Sequence, residues 1–485
     1  MTETSTWTAK FQLASRRLKQ EIALLPFRGA EKLASVLGYS LKASFTVLRF
    51  ITAPLWLIAY LPYAILQMRD ADTTRVVGTA PLEVGKKRAV VVIPDWQKCG
   101  STEVFASQIR GLAEDGWHVD LAIFTTHWVK RPPDVELFTA DTLERAKSLL
   151  PLHLVKRTFV LHLRSGWRRL QWGVGASRMT PFARNCNAYS FMRLSLKAFA
   201  DFCNGADLLI SNRVTYLNYL PRTSRIFLET HDVMTGTQEY LNSRDRQGDI
   251  ALELRLASRA DAIGCFSSGD QSFYRRAGRV VIRSPLSMGS PKLTAATSDR
   301  HYAASLLYVG DAHLQNLRSL QESVVQVPAD LELKIAGRVD RLLRDGTPLS
   351  DNVVLLGFVP SLDTLMSAAD IIVVPDFYGT GISIKMIEAA LSGKPLFATR
   401  RALRGLEDVE AAFPRVAIAP DDPSEFFPAL RERLEEVKRA NWLAVQGAAA
   451  NGARRESAVE WAMRVSLALS ERSARLEGKA VEEAR

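Results

Sequence analysis

The fold is decided by residues 352–406, which read NVVLLGFVPSLDTLMSAADIIVVPDFYGTGISIKMIEAALSGKPLFATRRALRGL. The β-branched run at 370–374 predicts a buried parallel strand, because both faces of such a strand are apolar. A loop with Gly379 and Gly381 follows, and the next residues have the spacing of a helix. That spacing places Lys385 and Glu388 on one face of the first helical turns.

A loop and helix of this kind can bind a diphosphate. Glycines let the backbone approach phosphate oxygens closely, and a helix N-terminus presents unpaired N–H groups and the positive end of its dipole. Lys385 adds a full charge, and the Glu388 carboxylate can accept two hydrogen bonds from a ribose diol. On the residues alone, a purely structural turn is the alternative.

Strand and helix patterns alternate through the rest of the chain. In the first half, strand patterns lie at 88–94, 118–125, 206–211, 225–229 and 260–265, with a loop at 95–101. In the second half they lie at 305–309, 331–336, 352–356, 370–374 and 395–398. The Pro, Gly and Ser rich segment 284–292 between them reads as a linker.

This alternation predicts an α/β protein with two Rossmann-like parallel-sheet domains facing a cleft, where the carboxyl ends of the strands bind ligands. We expect a basic, hydrophobic, membrane-associating segment at 1–85, an N-terminal Rossmann-like domain at 86–285, a C-terminal Rossmann-like domain at 286–455 and a helical tail at 456–485. The length of 485 residues fits about three structural units.

Composition excludes several classes of protein. With 47% hydrophobic and 24% charged residues, the chain is not largely disordered. Its four cysteines include no C-x-x-C pair, which excludes a disulfide scaffold and gives no sign of a zinc site. The net charge of +11 favours anionic partners.

The basic charge is concentrated near the N-terminus, where residues 1–69 hold nine basic and three acidic side chains. Within this region, residues 50–68 form an uncharged run about as long as the roughly 20 residues that cross a bilayer. Pro54 and Pro62 interrupt the run and favour a kinked, interfacial insertion over a straight span. A spanning helix and a buried core helix are the alternatives.

A second basic stretch, residues 156–197, carries nine basic side chains and no acidic one. We expect it to bind an anionic membrane surface or a phosphate-bearing acceptor through Arg164, Trp167, Arg168, Arg169 and Trp172. An ordinary solvated face is the alternative. No nucleic-acid-binding signature accompanies the stretch, so we expect no nucleic acid partner.

The decisive stretch resembles the C-terminal signature of the family 4 (group 1) glycosyltransferases. The matching elements, in order, are Leu356-Gly357-Phe358-Val359, Ala369-Asp370, Gly379-Thr380-Gly381, Lys385, Glu388-Ala389, Gly393-Lys394-Pro395, Ala398-Thr399 and Ala402-Leu403-Arg404-Gly405. The resemblance covers about 170 residues from Leu306 onward.

The resemblance implies a GT-B fold whose C-terminal domain holds a nucleoside-diphosphate sugar, with retention at the anomeric carbon, no divalent metal and no cofactor. It assigns Lys385 to the donor diphosphate and Glu388 to the ribose. Contacts to the base fall to Gly357, Phe358 and Val359, and contacts to the sugar and phosphates fall to Gly379, Thr380 and Gly381.

The chain departs from the family pattern at two places. The family's first glutamate, eight residues before Glu388, is replaced by Thr380. The usual Arg and Lys after the first strand of the C-terminal domain are missing, since Asp311 and Asn316 occupy that region; Arg338 is our candidate for the second positive charge.

The N-terminal half matches the family at Glu229-Thr230-His231-Asp232, which resembles its E-x-H-D element. The resemblance places His231 by the donor sugar, so we take His231 and Asp232 as catalytic together with Lys385. A histidine that only caps a turn is the alternative. Cys99, Gly100 and Ser101 correspond to the family's first glycine-rich loop, which would lie by the acceptor or the diphosphate.

Together these features predict a metal-independent, retaining glycosyltransferase. We expect it to transfer sugar from a nucleotide-sugar donor to a lipid-linked or glycan acceptor, in polysaccharide or glycolipid biosynthesis. We expect it at the cytoplasmic side of a membrane, as a peripheral or monotopic protein. A nucleotide-sugar epimerase and a non-catalytic, nucleotide-sugar-binding scaffold protein are the alternatives, and Thr380 favours the scaffold.

Overall fold

The computed structural model describes residues 74–78, 85–95, 100–129, 132–164, 179–189, 192–284, 291–293, 301–339, 343, 347–359, 361–379, 381–452 and 465. Residues 71–165 and 178–485 belong to one compact unit, which contains two β-sheets.

The first sheet has eight strands in the order β1-β4-β3-β2-β5-β6-β7-β8. Only β1 is antiparallel, to β4, and all other neighbours are parallel. The strands are β1 (Thr74–Val77), β2 (Arg88–Pro94), β3 (His118–Val129), β4 (Arg157–Arg164), β5 (Leu208–Ser211), β6 (Arg225–Thr230), β7 (Ala262–Cys265) and β8 (Val280–Arg283).

Among the described residues, the α-helices that connect these strands are α1 (Gly100–Glu114), α2 (Pro132–Leu149), α3 (Pro181–Cys186), α4 (Arg193–Cys203), α5 (Gln238–Leu241), α6 (Arg246–Ala257) and α7 (Ser268–Arg275). Side-chain caps define three of the starts, and Thr180 accepts the Ala183 N–H at 3.1 Å before α3. Asp245 accepts the Gly248 N–H at 2.9 Å before α6, and Ser267 accepts the Asp270 N–H at 3.0 Å before α7.

The second sheet has six parallel strands in the order β11-β10-β9-β12-β13-β14. They are β9 (Ala304–Val309), β10 (Leu331–Ala336), β11 (Val353–Gly357), β12 (Ile371–Val374), β13 (Leu396–Thr399) and β14 (Ile418–Ala419). The α-helices of this domain are α8 (Leu314–Ser323), α9 (Asp363–Ala368), α10 (Ile384–Leu391), α11 (Glu407–Ala412), α12 (Phe426–Glu432), α13 (Leu434–Arg439) and α14 (Trp442–Gly452).

Each sheet contains the doubly wound order in which the strand sequence reverses beside the first parallel strand. The reversal falls between β2 and β5 in the first sheet and between β9 and β12 in the second. The predicted pair of Rossmann-like α/β domains is therefore confirmed.

Each sheet packs into an apolar core, and Val104 and Phe266 of the first domain join the core of the second sheet. Strand β2 is buried at all seven positions, as expected for a central strand covered on both faces. Val465, far along the chain, is buried in the core of the first domain. The chain therefore returns to the first domain after the second sheet is complete.

The sequence patterns do not predict β1, β4, β8 and β14. Strand β4 lies inside the basic stretch 156–197, where arginines at both of its ends obscure the apolar run TFVL. Strand β1 lies inside the segment 1–85 and pairs with β4. The expected loop at 95–101 is shorter than predicted, because α1 begins at Gly100.

Within the described part of the chain, no helix combines the length and apolar character needed to cross a bilayer. The predicted membrane segment at 50–68 lies outside the described residues.

Candidate active site

The polar residues of interest follow strands at the two points where strand order reverses. Asp95 and Asn212 come directly after β2 and β5, while Gly310 lies after β9 and Asp376 after β12. Open parallel sheets bind ligands in the crevice at such points. His231, the first residue after β6, lies beside this edge of the first sheet.

Lys385 lies in the first turn of α10 and is held by three side chains. Its Nζ lies 2.5 Å from Asp376 Oδ1, 2.7 Å from Asn316 Oδ1 and 3.1 Å from the Tyr308 hydroxyl. Burial alone would lower the pKa of Lys385, but Asp376 and Tyr308 outweigh burial and raise it. Lys385 is therefore charged at neutral pH.

Asp376 is the buried centre of this cluster. Besides Lys385, its carboxylate accepts a hydrogen bond from Ser383 at 3.0 Å and lies 3.8 Å from Arg404 Nη1. The Asp376 backbone carbonyl accepts the Thr399 hydroxyl at 2.7 Å. These contacts fix the start of the loop that carries Gly379 and Gly381.

Glu388 lies in the helical turn after Lys385, as the spacing predicts, and both side chains are partly buried. The helix begins directly after the glycine-bearing loop, so its first N–H groups point towards that loop. Thr380 lies outside the described residues. The roles assigned to Lys385, Glu388 and the loop glycines stay predictions.

Three neighbouring strands of the second sheet end at glycines, namely Gly310, Gly337 and Gly357. The Gly337 N–H donates to the Gly357 carbonyl at 2.7 Å, and a Cβ on Gly337 would collide with the backbone of Gly310. The backbone here is packed too closely for a side chain. Next to it, 61% of Phe358 is exposed, which leaves an aromatic face open at the position assigned to the base; the neighbouring Val359 packs partly against the core.

Arg338 follows β10 and forms a two-pronged pair with Asp311, with a distance of 2.6 Å from Arg338 Nε to Asp311 Oδ1. Burial would raise the pKa of Asp311, but Arg338 outweighs it and lowers that pKa. The positive charge of Arg338 therefore has a carboxylate beside it in this structure.

In the first domain, His231 is held by a pair of buried amides. Its Nε2 lies 3.3 Å from Asn212 Oδ1, and Asn212 and Gln108 exchange two hydrogen bonds of 2.9 Å. When the ring carries its proton on Nε2, it donates this hydrogen bond to Asn212 Oδ1. Phe105 and Phe266 contact the ring, with centroid distances of 5.5 and 5.3 Å.

Burial, and secondarily the charge of Arg213, lower the pKa of His231 to about 3. The imidazole is therefore neutral near pH 7, a form that can donate one hydrogen bond and accept another.

The loop after His231 is held by the buried Glu253. Its two carboxylate oxygens accept the N–H groups of Met234 and Thr235 at 2.8 and 2.9 Å. The Tyr274 hydroxyl donates to Glu253 at 2.6 Å and also contacts the Asp232 carbonyl at 3.3 Å. Two helices of the first domain thus set the position of Asp232.

The loops of the two domains meet at Gly381. Its φ is +69°, and a Cβ there would lie 2.6 Å from the His231 carbonyl oxygen and would meet the Asp232 carboxylate. Only glycine fits such a backbone angle and so close an approach without strain. The structure therefore brings together His231 and Asp232 of one domain and the Lys385 loop of the other.

The remaining predicted residues lie in other elements or outside the described residues. Ser101 is buried in the first turn of α1, beside Gly100. Arg164 ends β4. Cys99, Trp167, Arg168, Arg169 and Trp172 lie outside the described residues. Arg157, from the basic stretch, donates to the buried Asp120 at 2.7 Å, so its charge is used inside the fold.

Sequence reasoning missed four residues that the structure places here: Asn212, Glu253, Asp376 and Arg404. For Asn212 and Asp376 there was a signal, since each is a polar residue at the end of a buried strand. Arg404 belongs to the matching family elements but received no role. Nothing local marks Glu253, whose partners are about 20 residues away in the sequence.

Comparison with known proteins places the second domain in a family. Residues 303–436 match the family described as glycosyl transferases group 1. A sequence search of curated proteins finds no match.

Solved structures similar to the chain have the same two-domain fold. Anabaena HepE, solved with UDP-glucose, is 13% identical with a TM-score of 0.51, and the match covers 79% of this chain and 99% of HepE. The pneumococcal O-GlcNAc transferase GtfA, solved with UDP and GlcNAc, is 11% identical with a TM-score of 0.55, with coverage of 79% and 99%. At these identities the likeness shows the fold. Residues 303–436 are therefore a group 1 glycosyltransferase domain, and the chain has the two-domain GT-B fold.

Proposed function

We propose that the protein transfers a glycosyl group from a nucleoside-diphosphate sugar to an acceptor hydroxyl, with retention and without a divalent metal. The observation that carries this proposal is the meeting at Gly381 of a charged lysine site in one domain and a neutral histidine loop in the other. Such a pair can bind an anionic leaving group and a sugar at the same place.

The donor fits the second domain through its chemistry. Lys385 is a buried cation that can face a diphosphate, and the start of α10 adds backbone N–H donors. Glu388 lies one turn further along for the ribose, and the exposed ring of Phe358 is open to a base. Because HepE and GtfA were both solved with UDP, a uridine nucleotide is the first donor to test.

The reaction needs no protein nucleophile. The bond from the anomeric carbon to the diphosphate oxygen breaks, a bond to the acceptor oxygen forms on the same face, and the acceptor proton passes to the leaving diphosphate. Lys385 stabilises the charge on that leaving group, which is the usual role of a preorganised cation. Neutral His231 hydrogen-bonds a hydroxyl of the donor sugar, and Asp232 orients the acceptor.

We place the enzyme in polysaccharide or glycolipid biosynthesis, at the cytoplasmic side of a membrane, with a lipid-linked or glycan acceptor. Support comes from the sequence alone: the excess of basic residues in 1–69, the apolar run at 50–68 and the basic stretch 156–197. We expect no cofactor and no nucleic acid partner.

The test is thermal unfolding of the full, detergent-purified chain with UDP-, GDP-, ADP- and dTDP-sugars. A ligand at about 100 times its dissociation constant adds about 2.7 kcal/mol, which shifts the midpoint visibly. We expect a shift with one nucleotide class that Glu388→Ala removes. Glu436→Ala, which changes an exposed glutamate on α13, is the matched control and should keep the shift.

Transfer is then measured with the stabilising donor and a lipid extract as the acceptor source, with and without EDTA. We expect a product with retained anomeric configuration at rates that EDTA does not change. Donor binding with neither sugar transfer nor donor cleavage would instead support the non-catalytic scaffold protein.

A further inference from the structure

Arg404 shares a carboxylate with Lys385. Lys385 Nζ lies 2.5 Å from Asp376 Oδ1, while Arg404 Nη1 lies 3.8 Å from Asp376 Oδ2. The two cations therefore lie on either side of one buried aspartate. An anion that faces Lys385 at this loop is within reach of the Arg404 guanidinium as well.

The position of Arg404 is set by the same loop. Its Nη2 lies 3.2 Å from the point where a Cβ of Gly379 would be, and its Nη1 donates to the Arg401 carbonyl at 2.9 Å. The Arg401 side chain donates to the Gly379 carbonyl at 2.8 Å. The absence of a side chain at Gly379 thus leaves the guanidinium against the loop backbone, and only a fifth of the Arg404 side chain is exposed.

Positive charge accumulates at this point. Burial and the neighbouring Arg404 both lower the pKa of Arg401, which shows that the two guanidinium groups repel one another. Three cations surround this loop, namely Lys385, Arg401 and Arg404. The carboxylate of Asp376 contacts two of them, Lys385 and Arg404. A bound anion would offset this repulsion.

The side of the site formed by the residues after β9 has a different character. Asp311 lies after β9, in the region where the family resemblance leads us to expect a basic residue, and it takes up Arg338 in a two-pronged pair. Asn316, further along, hydrogen-bonds Lys385 and carries no charge. A diphosphate on that side would face a carboxylate.

We propose that Arg404 is the second cation of the donor diphosphate site, beside Lys385. Both side chains contact the same carboxylate, that of Asp376. This inference rests on the proposed function, because it assumes that a nucleoside diphosphate binds at the Gly379 loop. It assigns to the A-L-R-G element the task that a basic residue after β9 has elsewhere in the family.

The experiment is calorimetric titration of the full chain with UDP, ADP and GDP, and with the corresponding nucleosides, at several salt concentrations. The variants are Arg404→Ala, Arg404→Gln and Arg404→Lys. Arg400→Ala is the matched control, because Arg400 lies on the same turn but is exposed and pairs with Glu410. Arg338→Ala tests the competing candidate.

We expect Arg404→Ala and Arg404→Gln to raise the dissociation constant of the bound nucleoside diphosphate about 10- to 100-fold, as for loss of a hydrogen bond to a charged group. Nucleoside affinity should not change, the salt dependence of diphosphate binding should weaken, and Arg404→Lys should restore part of the affinity. Arg400→Ala should bind like the wild type.

Unchanged diphosphate affinity in Arg404→Ala, or a larger loss in Arg338→Ala, would overturn the assignment. An equal loss for nucleoside and diphosphate would also overturn it, since Arg404 would then only support the fold. Failure of the wild-type protein to bind any nucleoside diphosphate would instead refute the proposed function itself, which separates the two failures.

Discussion

The two loops that meet at Gly381 are built from different interactions. The loop after β6 is held by hydrogen bonds to side-chain amides and to one buried carboxylate. A pair of amides holds His231, and the buried Glu253 accepts two backbone N–H groups. The loop after β12 is held by charge, through Lys385 and Asp376.

This difference indicates a division of labour. The hydrogen-bonded loop presents a neutral ring at a fixed position, which suits orientation of a sugar hydroxyl. The charged loop holds cations in a buried place, which suits an anionic phosphate. Activity should therefore depend on the charge held by the loop after β12 and on the position of the loop after β6.

The largest effect is expected from Lys385→Met. The change removes the buried cation, so kcat/KM should fall about 10²- to 10³-fold, the range for one preorganised electrostatic donor. It also leaves Asp376 buried without its lysine, which should cost about 3–5 kcal/mol of stability. Kinetics with the donor that the thermal screen identifies, together with urea unfolding, measure both effects.

The double variant Lys385→Met/Asp376→Asn separates the two effects, because it also removes the stranded charge. It should regain much of the stability and none of the activity. Lys394→Met is the matched control: Lys394 donates to the carbonyls of Ser367 and Ala369, so its loss should lower stability while kcat/KM stays within threefold. Activity of Lys385→Met within tenfold of the wild type would contradict the charged-loop account.

A smaller loss is expected from Gly381→Ala, which tests position. Its Cβ would push against the His231 carbonyl and the Asp232 carboxylate, and displacing a catalytic loop by about 1 Å can cost about 10²-fold in rate. The matched control is Gly278→Ala. Gly278 has a similar φ of +67° but has nothing within 4 Å of an added Cβ.

Both alanine variants should lose about 1–2 kcal/mol of stability from the left-handed backbone. Only Gly381→Ala should lose activity, as measured by kcat/KM alongside thermal unfolding. Equal activities in the two variants would mean that the contact at Gly381 does not position His231 and Asp232.

The smallest effect concerns pH. Because the pKa of His231 is lowered to about 3, the ring stays neutral from pH 5 to 8 and should give no inflection in kcat/KM there. Burial raises the pKa of the neighbouring Asp270 to about 6, so an inflection near pH 6, of less than tenfold, should belong to Asp270. It should persist in His231→Gln and disappear in Asp270→Asn.

The free energy of unfolding should also depend on pH through the lowered pKa of His231. A histidine whose pKa is lowered by folding contributes its stability above the unfolded value near 6.5 and loses it as pH falls towards 3. The wild type should therefore lose more stability than His231→Gln between pH 6.5 and 4. An inflection in kcat/KM near pH 6.5 that His231→Gln abolishes would show a titrating, not a neutral, ring.

Local sequence pattern determined much of the fold. The strands at 88–94 and 331–336 have the predicted bounds, because each is a continuous apolar or alternating run bounded by polar residues. The order of strand, glycine loop and helix around Lys385 was predictable for the same reason. These features depend on residues within about ten positions of one another.

Tertiary structure decided the rest, because pairing across the chain leaves no local pattern. Strand β4 lies inside a basic stretch, and its first residue, Arg157, donates a hydrogen bond to the buried Asp120, 37 residues away in the sequence. The placement of His231 depends on Asn212 and Gln108, which lie 104 residues apart. The sequence predicted which residues bind and react, and folding decided which charges and hydrogen bonds hold them in place.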